Sequence, residues 1–220
     1  MNGESSMSEV KQLQETDAEA ADAALAARHQ LFPFEQKEMQ SNLHYTVCSE
    51  FTTMLRAQFK DDADANIGGD QAFYWNAKDD RDVICPDVYL VRGIGNGLRS
   101  SIKFWEEEKM SMRFVLEVWS KSNSAAERYE KYERYAELGV SEYAELDTER
   151  SELTGHRLNE RGRYTVIQPQ DGKVFFAELG LSVVYENDLL RLYRNDEKVL
   201  TASESAAEIV RLKNLLEAKK

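Results

Sequence analysis

The chain has 220 residues, 42% of them apolar and 10% aromatic, so it can bury one sizeable core with appendages but is short for two domains. No apolar run approaches the roughly 18 residues of a membrane span, and a formal net charge of -12 argues against a generic polyanion binder. The opening MNGESSMSEV carries no basic then apolar signal region, so the expected setting is cytoplasmic.

Residues 1–30 are rich in Ala, Glu, Asp and Ser with few large apolar groups, and read as a mobile acidic leader. One domain is expected over residues 31–200, with a C-terminal helix over residues 201–220. The spacing of Leu43, Val47, Phe51, Met54 and Leu55 predicts a helix from Asn42 to Phe59. On it, His44 reads as a helix-start or core histidine, with substrate contact as the alternative. Cys48 and Cys85 show neither metal-ligand nor disulfide-framework spacing and read as two ordinary reduced thiols.

NIGGDQAFYWNAKDDRDVICPDVYLV reads as two strands around the polar turn Asn76 to Asp80. In RGIGNGLRSS three glycines alternate, but no Lys-Ser/Thr ending follows, so a plain loop is expected rather than a phosphate loop. A strand from Phe114 to Trp119 precedes a helix from Ser124 to Leu138, closed by Gly139. VSEYAELD is a further strand. Leu153 to Leu200 reads as short strands turning near residues 159–162, 170–172 and 186–188. The tail opens with a capping-box pattern, Ser205-x-x-Glu208, and spaces Ile209, Leu212 and Leu216 along one face, suited to docking or subunit contact.

Two residues sit oddly in this scheme. Glu117 interrupts the apolar run of its strand, on the same side as Val115 and Trp119. Asp87 follows Pro86 and opens the apolar strand Val88 to Val91. If the two strands pair, the carboxylates converge, and a divalent cation would relieve their repulsion; Mg²⁺ prefers few carboxylates and several waters. Glu127, Lys131, Tyr135 and Leu138 share one stripe of the following helix, which directs Lys131 toward the region beyond Glu117. The alternative is structural: Glu127 and Lys131 as a solvated helix pair, and Glu117 facing water at a sheet edge. Tyr129, Tyr132 and Tyr135 read as core or interface aromatics rather than base-stacking platforms. Between Asp87 and Arg134 nine basic residues balance eight acidic ones, so the acidity lies in the flanks and nucleic acid stays open as a partner.

VICPDVYLV, IKFWEEEKMSMRFVLEVWSKSN, Glu127, Lys131 and YAELGVSEYAELD together resemble the Uma-type family of restriction endonucleases, within the PD-(D/E)xK nuclease superfamily. The resemblance runs from about Phe32 to the C-terminus. It implies an α/β fold, a restriction-endonuclease-like mixed β-sheet flanked by helices, here with extra C-terminal β-hairpins and a helical tail. It also implies Asp87 and Glu117 as ligands of Mg²⁺, with Mn²⁺ as the other candidate, Lys131 as the catalytic lysine, placed on a helix, and Glu50, on the first helix, as a candidate for the extra acid some relatives use. DNA as substrate and a homodimer follow by the same resemblance. Trp119 stands where the superfamily commonly has its lysine, Glu127 replaces a helix aspartate, and SKSN and AELD depart from the usual segments. These departures support a rival reading, a degenerate nuclease fold serving as a binding or assembly module.

Overall fold

The computed structural model describes residues 41–218; the expected leader at residues 1–30 lies outside the described residues. Helix α1, Asn42–Gln58, buries Val47, Phe51, Met54 and Leu55, the apolar stripe that its spacing predicts. Five strands follow: β1 Asn66–Gly68, β2 Phe73–Tyr74, β3 Val83–Ile84, β4 Val88–Arg92 and β5 Ile102–Lys103. The long strand β6, Ser111–Trp119, leads through helix α2, Ala125–Glu137, to β7, Glu142–Asp147. Then come β8 Glu152–Leu158, β9 Tyr164–Ile167, β10 Val174–Phe176, β11 Leu181–Glu186, β12 Leu189–Arg194, β13 Glu197–Lys198 and helix α3, Ala202–Glu217.

The main sheet has six strands in the order β1-β4-β6-β7-β8-β9. β6 and β7 are parallel, joined by α2, and their other neighbours in this sheet run antiparallel, so the sheet is mixed as expected. Alternation along β6 divides the core. Phe114, Leu116 and Val118 join α1 and the C-terminal strands on one face, and Val115 packs on the other with Tyr135, Val140 and Tyr143. A four-stranded antiparallel sheet, β10-β11-β12-β13, forms the C-terminal hairpins. Glu142, only 1% exposed, ties the two sheets together. It accepts hydrogen bonds from Arg157 at 2.8 Å and from the backbone N–H groups of Ala177 and Glu178 at 3.0 and 2.9 Å.

The segment expected as two strands contains four. β2 and β3 pair around the predicted polar turn, but Asn66–Gly68 is a separate strand, paired antiparallel with β4. The break comes at Gly68-Gly69, where the chain passes very close to its partner. A Cβ on Gly69 would lie 2.2 Å from the backbone oxygen of Asp87, so only glycine allows this approach. Beyond Arg92, which ends β4, the RGIGNGLRSS loop contains no regular element. The N–H of its Gly93 is taken by the Asp64 carboxylate at 2.8 Å, so a neighbouring acid and not a phosphate occupies that donor.

Helix α2 starts at the Ser124 N-cap, whose hydroxyl accepts from the Glu127 N–H, and it ends before Gly139 at φ 75°. α3 starts one turn earlier than the sequence pattern indicates. Thr201 and Glu204 form the capping box, not Ser205 and Glu208, because Glu204 also reaches Lys198 and Arg191 on the preceding hairpin. None of the residues of α3 is buried, and Ile209, Val210, Leu212, Leu215 and Leu216 are exposed. Among the described residues no helix is long and apolar enough to cross a membrane.

Candidate active site

Asp87 lies just before β4, whose first residue, Val88, pairs with Leu116 of β6. Antiparallel register therefore sets Asp87 beside Glu117, the convergence that pairing of the two strands would require. The carboxylate of Asp87 is held on both oxygens. Oδ2 accepts the backbone N–H of Val118 at 2.7 Å, and Oδ1 lies 3.0 Å from Nε2 of His44 on α1. The clearance at Gly69 lets the chain run beside the Asp87 backbone.

Glu117 is 1% exposed, so the solvent-facing alternative does not hold. Its Oε2 accepts from Lys131 Nζ at 2.8 Å, and its Oε1 accepts from the Tyr135 hydroxyl. Burial pushes the Glu117 carboxyl up to about 8, with Lys131 opposing the shift and Asp87 adding to it. Burial also acts against the charge on Lys131, but Glu117 outweighs it and the ammonium is held above its usual value. A cation at this point would neutralise a carboxylate that the protein alone only partly compensates.

The tryptophan two residues past the acid has a structural role in this arrangement. The Trp119 ring lies 5.4 Å from Lys131 Nζ and 5.5 Å from the Arg128 guanidinium. A lysine is thus delivered to Glu117 from α2 and rests on the side chain that fills the β6 position. Arg128 further bonds Asp147 at the end of β7 at 2.8 Å, fixing the first turn of α2 over the sheet. Glu127 points elsewhere: its Oε1 accepts from the Asn123 amide at 3.2 Å, and it acts on Lys131 only through its charge.

Of the remaining candidates, Tyr135 is buried and Tyr132 packs edge-on against Tyr143, His156 and Tyr164, as core aromatics; Tyr129 is exposed. Oε2 of Glu50 is buried with no hydrogen-bond partner among the described residues. Three features escaped sequence reasoning. Tyr135 binds Glu117 directly. Asp70, at φ 51°, is close enough for its charge to act on His44, Cys48 and Cys85. Cys48, read as an ordinary thiol, brings its sulfur to within 4.8 Å of ligand atoms on His44 and Asp87. Its signal was available: it lies four residues after His44, hence on the same helix face.

Two cavities flank this cluster. One, of about 730 Å³, is lined by Gly69, Asp70 and Cys85 together with Arg56, Lys60 and Arg99. The other, of about 360 Å³, is lined by Cys85 and Lys131 together with Arg81, Arg134 and Trp75. Cys85, exposed and two residues before Asp87, belongs to both walls.

The mixed α/β sheet thus sets Asp87, just before β4, beside Glu117 of β6, with Lys131 supplied by the helix that joins β6 to β7. The chain belongs to the Uma2 family, described as "Putative restriction endonuclease", whose model matches residues 32–189. Among solved structures it is similar to a "putative nuclease belonging to DUF820" from Anabaena variabilis, with a TM-score of 0.51 and 14% sequence identity, over 66% of this chain and 77% of that one. That likeness concerns the fold. No curated protein matches the chain.

Proposed function

We propose that the protein is a metal-dependent endonuclease that hydrolyses DNA phosphodiester bonds, with Asp87 and Glu117 holding Mg²⁺ or Mn²⁺ and Lys131 assisting. The observation that carries this reading is the buried Glu117, set beside Asp87 and bonded to a lysine. A buried carboxylate with only one ammonium and one phenol beside it is poor design for a core and suits a cation. The donor set, all oxygen with room for water, fits a hard divalent ion. Such an ion, when bound, lowers the pKa of water and offsets charge on a phosphate.

The chain's own groups supply the rest. Val118 N–H orients Asp87, and its carbonyl, which leaves the strand on the same side, is a further candidate ligand. Lys131, held above Trp119, is placed to orient a water or to stabilise charge growing on a phosphate oxygen once Glu117 turns to the metal. Arg56, Lys60 and Arg99 line one cavity and Arg81 and Arg134 the other, and a phosphate backbone on either side would compete with Glu107 for Arg99, Asp79 for Arg81 and Glu137 for Arg134.

Asp87→Ala and Glu117→Ala are each expected to abolish Mg²⁺-stimulated cleavage of duplex DNA, with far-UV circular dichroism showing the fold retained. Cleavage at the wild-type rate in both variants rules the assignment out. A homodimer suits the same reading, since two strands are cut most directly by two sites related by a two-fold axis. α3 offers the surface. Its residues Ile209, Val210, Leu212, Leu215 and Leu216 are exposed, an apolar surface that a second copy could cover.

A further inference from the structure

The metal reading above uses oxygen ligands alone, yet softer ligands stand against the other side of Asp87. His44 and Cys48 occupy successive turns of α1 and face the same carboxylate, and one ligand atom from each of the three lies within 4.8 Å of the others. Nε2 of His44 is already 3.0 Å from Asp87 Oδ1. Four ligands at Zn²⁺ bond lengths of about 2.0–2.3 Å stand roughly 3.3–3.8 Å apart, so the observed spacing closes with side-chain movements of about 1 Å. Burial pushes the Cys48 thiol up and so acts against the thiolate, an effect that a bound cation would have to offset, while the negative charges of Asp87, Glu117 and Asp70 act on both His44 and Cys48 and favour a cation between them. The side chains of His44 and Asp87 are 16% and 14% exposed, which leaves an entry path and an open position for water.

We propose that His44, Cys48 and Asp87 form a binding position for a thiophilic divalent ion, Zn²⁺ by preference, that shares Asp87 with the Mg²⁺ position. Imidazole and thiolate select Zn²⁺ over Mg²⁺, whereas Glu117 and its carboxylate neighbour alone do not. Binding exchanges the His44–Asp87 hydrogen bond for two bonds to the ion; the proton between Nε2 and the carboxylate and the Cys48 thiol proton are both released to solvent, leaving the imidazole neutral and the sulfur as thiolate. Because Asp87 cannot serve both ions in full, Zn²⁺ withdraws it from the hydrolytic centre. The consequence for cleavage, zinc inhibition, rests on the nuclease reading; the binding itself does not.

The test uses the full chain, stripped of metal, with Co²⁺ absorption and Zn²⁺ calorimetry. The wild type is expected to bind one Zn²⁺ per chain at least a hundredfold tighter than Mg²⁺, and its Co²⁺ form to show a thiolate-to-metal charge-transfer band. Cys48→Ser and Cys48→Ala should both lose the band and weaken Zn²⁺ at least tenfold, while Cys85→Ser and Glu117→Gln keep it. A wild type without the band, a band that follows Cys85, or Zn²⁺ affinity indifferent to Cys48 overturns the proposal. Zinc bound through Cys48 in a protein that cuts no DNA with any metal would instead remove the nuclease reading and leave this site standing.

Discussion

At the scale of single residues, the balance between stability and chemistry falls on Glu117. Its carboxylate is desolvated, and Lys131 and Tyr135 compensate it only in part. Glutamine keeps the shape without carrying a buried charge: its amide oxygen can accept from Lys131 while its NH₂ donates to the Tyr135 hydroxyl oxygen. Glu117→Gln is therefore expected to raise the melting temperature of the metal-free protein by a few degrees, about 1 kcal/mol, while removing Mg²⁺-dependent cleavage. A drop in melting temperature would mean that the charge is well compensated and not held ready for a cation. Gly69 makes the opposite case. Gly69→Ala places a methyl group 2.2 Å from the Asp87 oxygen and should cost about 1–3 kcal/mol, together with weaker Mg²⁺ binding by calorimetry. Unchanged binding would show that Asp87 does not depend on the close passage of β1. Asp87, Glu117 and Lys131 were legible as candidates because a carboxylate inside an apolar strand and an acid after proline break local rules. Asp70 was not, since its place depends on how the chain leaves Gly69, which no local pattern encodes.

At the scale of elements, α2 is the part that must be held still, since it delivers both Lys131 and Tyr135. Its closing glycine could be read from the sequence, and its bounds agree to within a residue, Ser124 proving to be the N-cap. The clamp at its start, Arg128 between Asp147 and Trp119, could not, because it joins residues from three elements. The Arg128 hydrogen bond, against some burial, holds the Asp147 carboxyl below its usual value. A depressed folded value means that the pair stabilises the fold above the unfolded carboxylate value, about 3.9, and loses that contribution as pH falls through the folded one. Asp147→Asn should accordingly unfold at a lower temperature than wild type near pH 7, with the gap narrowing below about pH 4. A gap independent of pH would assign the loss to packing instead. The short strands were the least legible elements. β1 and β2 are three and two residues long, and a pattern of alternate faces needs more positions than that to declare itself.

At the scale of the whole molecule, α3 is a helix none of whose residues is buried, tied to the preceding hairpin through Glu204. A helix of 16 residues gains little from propensity alone, so its apolar stripe calls for a covering surface. Leu212→Glu combined with Leu216→Glu is expected to convert a dimer to a monomer by light scattering, with the α/β domain still folded. A wild type that is monomeric at micromolar concentration, or a double variant that stays dimeric, removes α3 as the contact. The mixed sheet and its helices followed from the family resemblance, whereas the joining of two sheets through one acid did not. Glu142 lies at the start of β7, yet two of its donors belong to the chain after β10. The C-terminal hairpins therefore act as a keystone and not an ornament. A chain cut before residue 177 would leave that acid without its amide cradle, so any minimal fragment meant to fold must carry the second sheet with it.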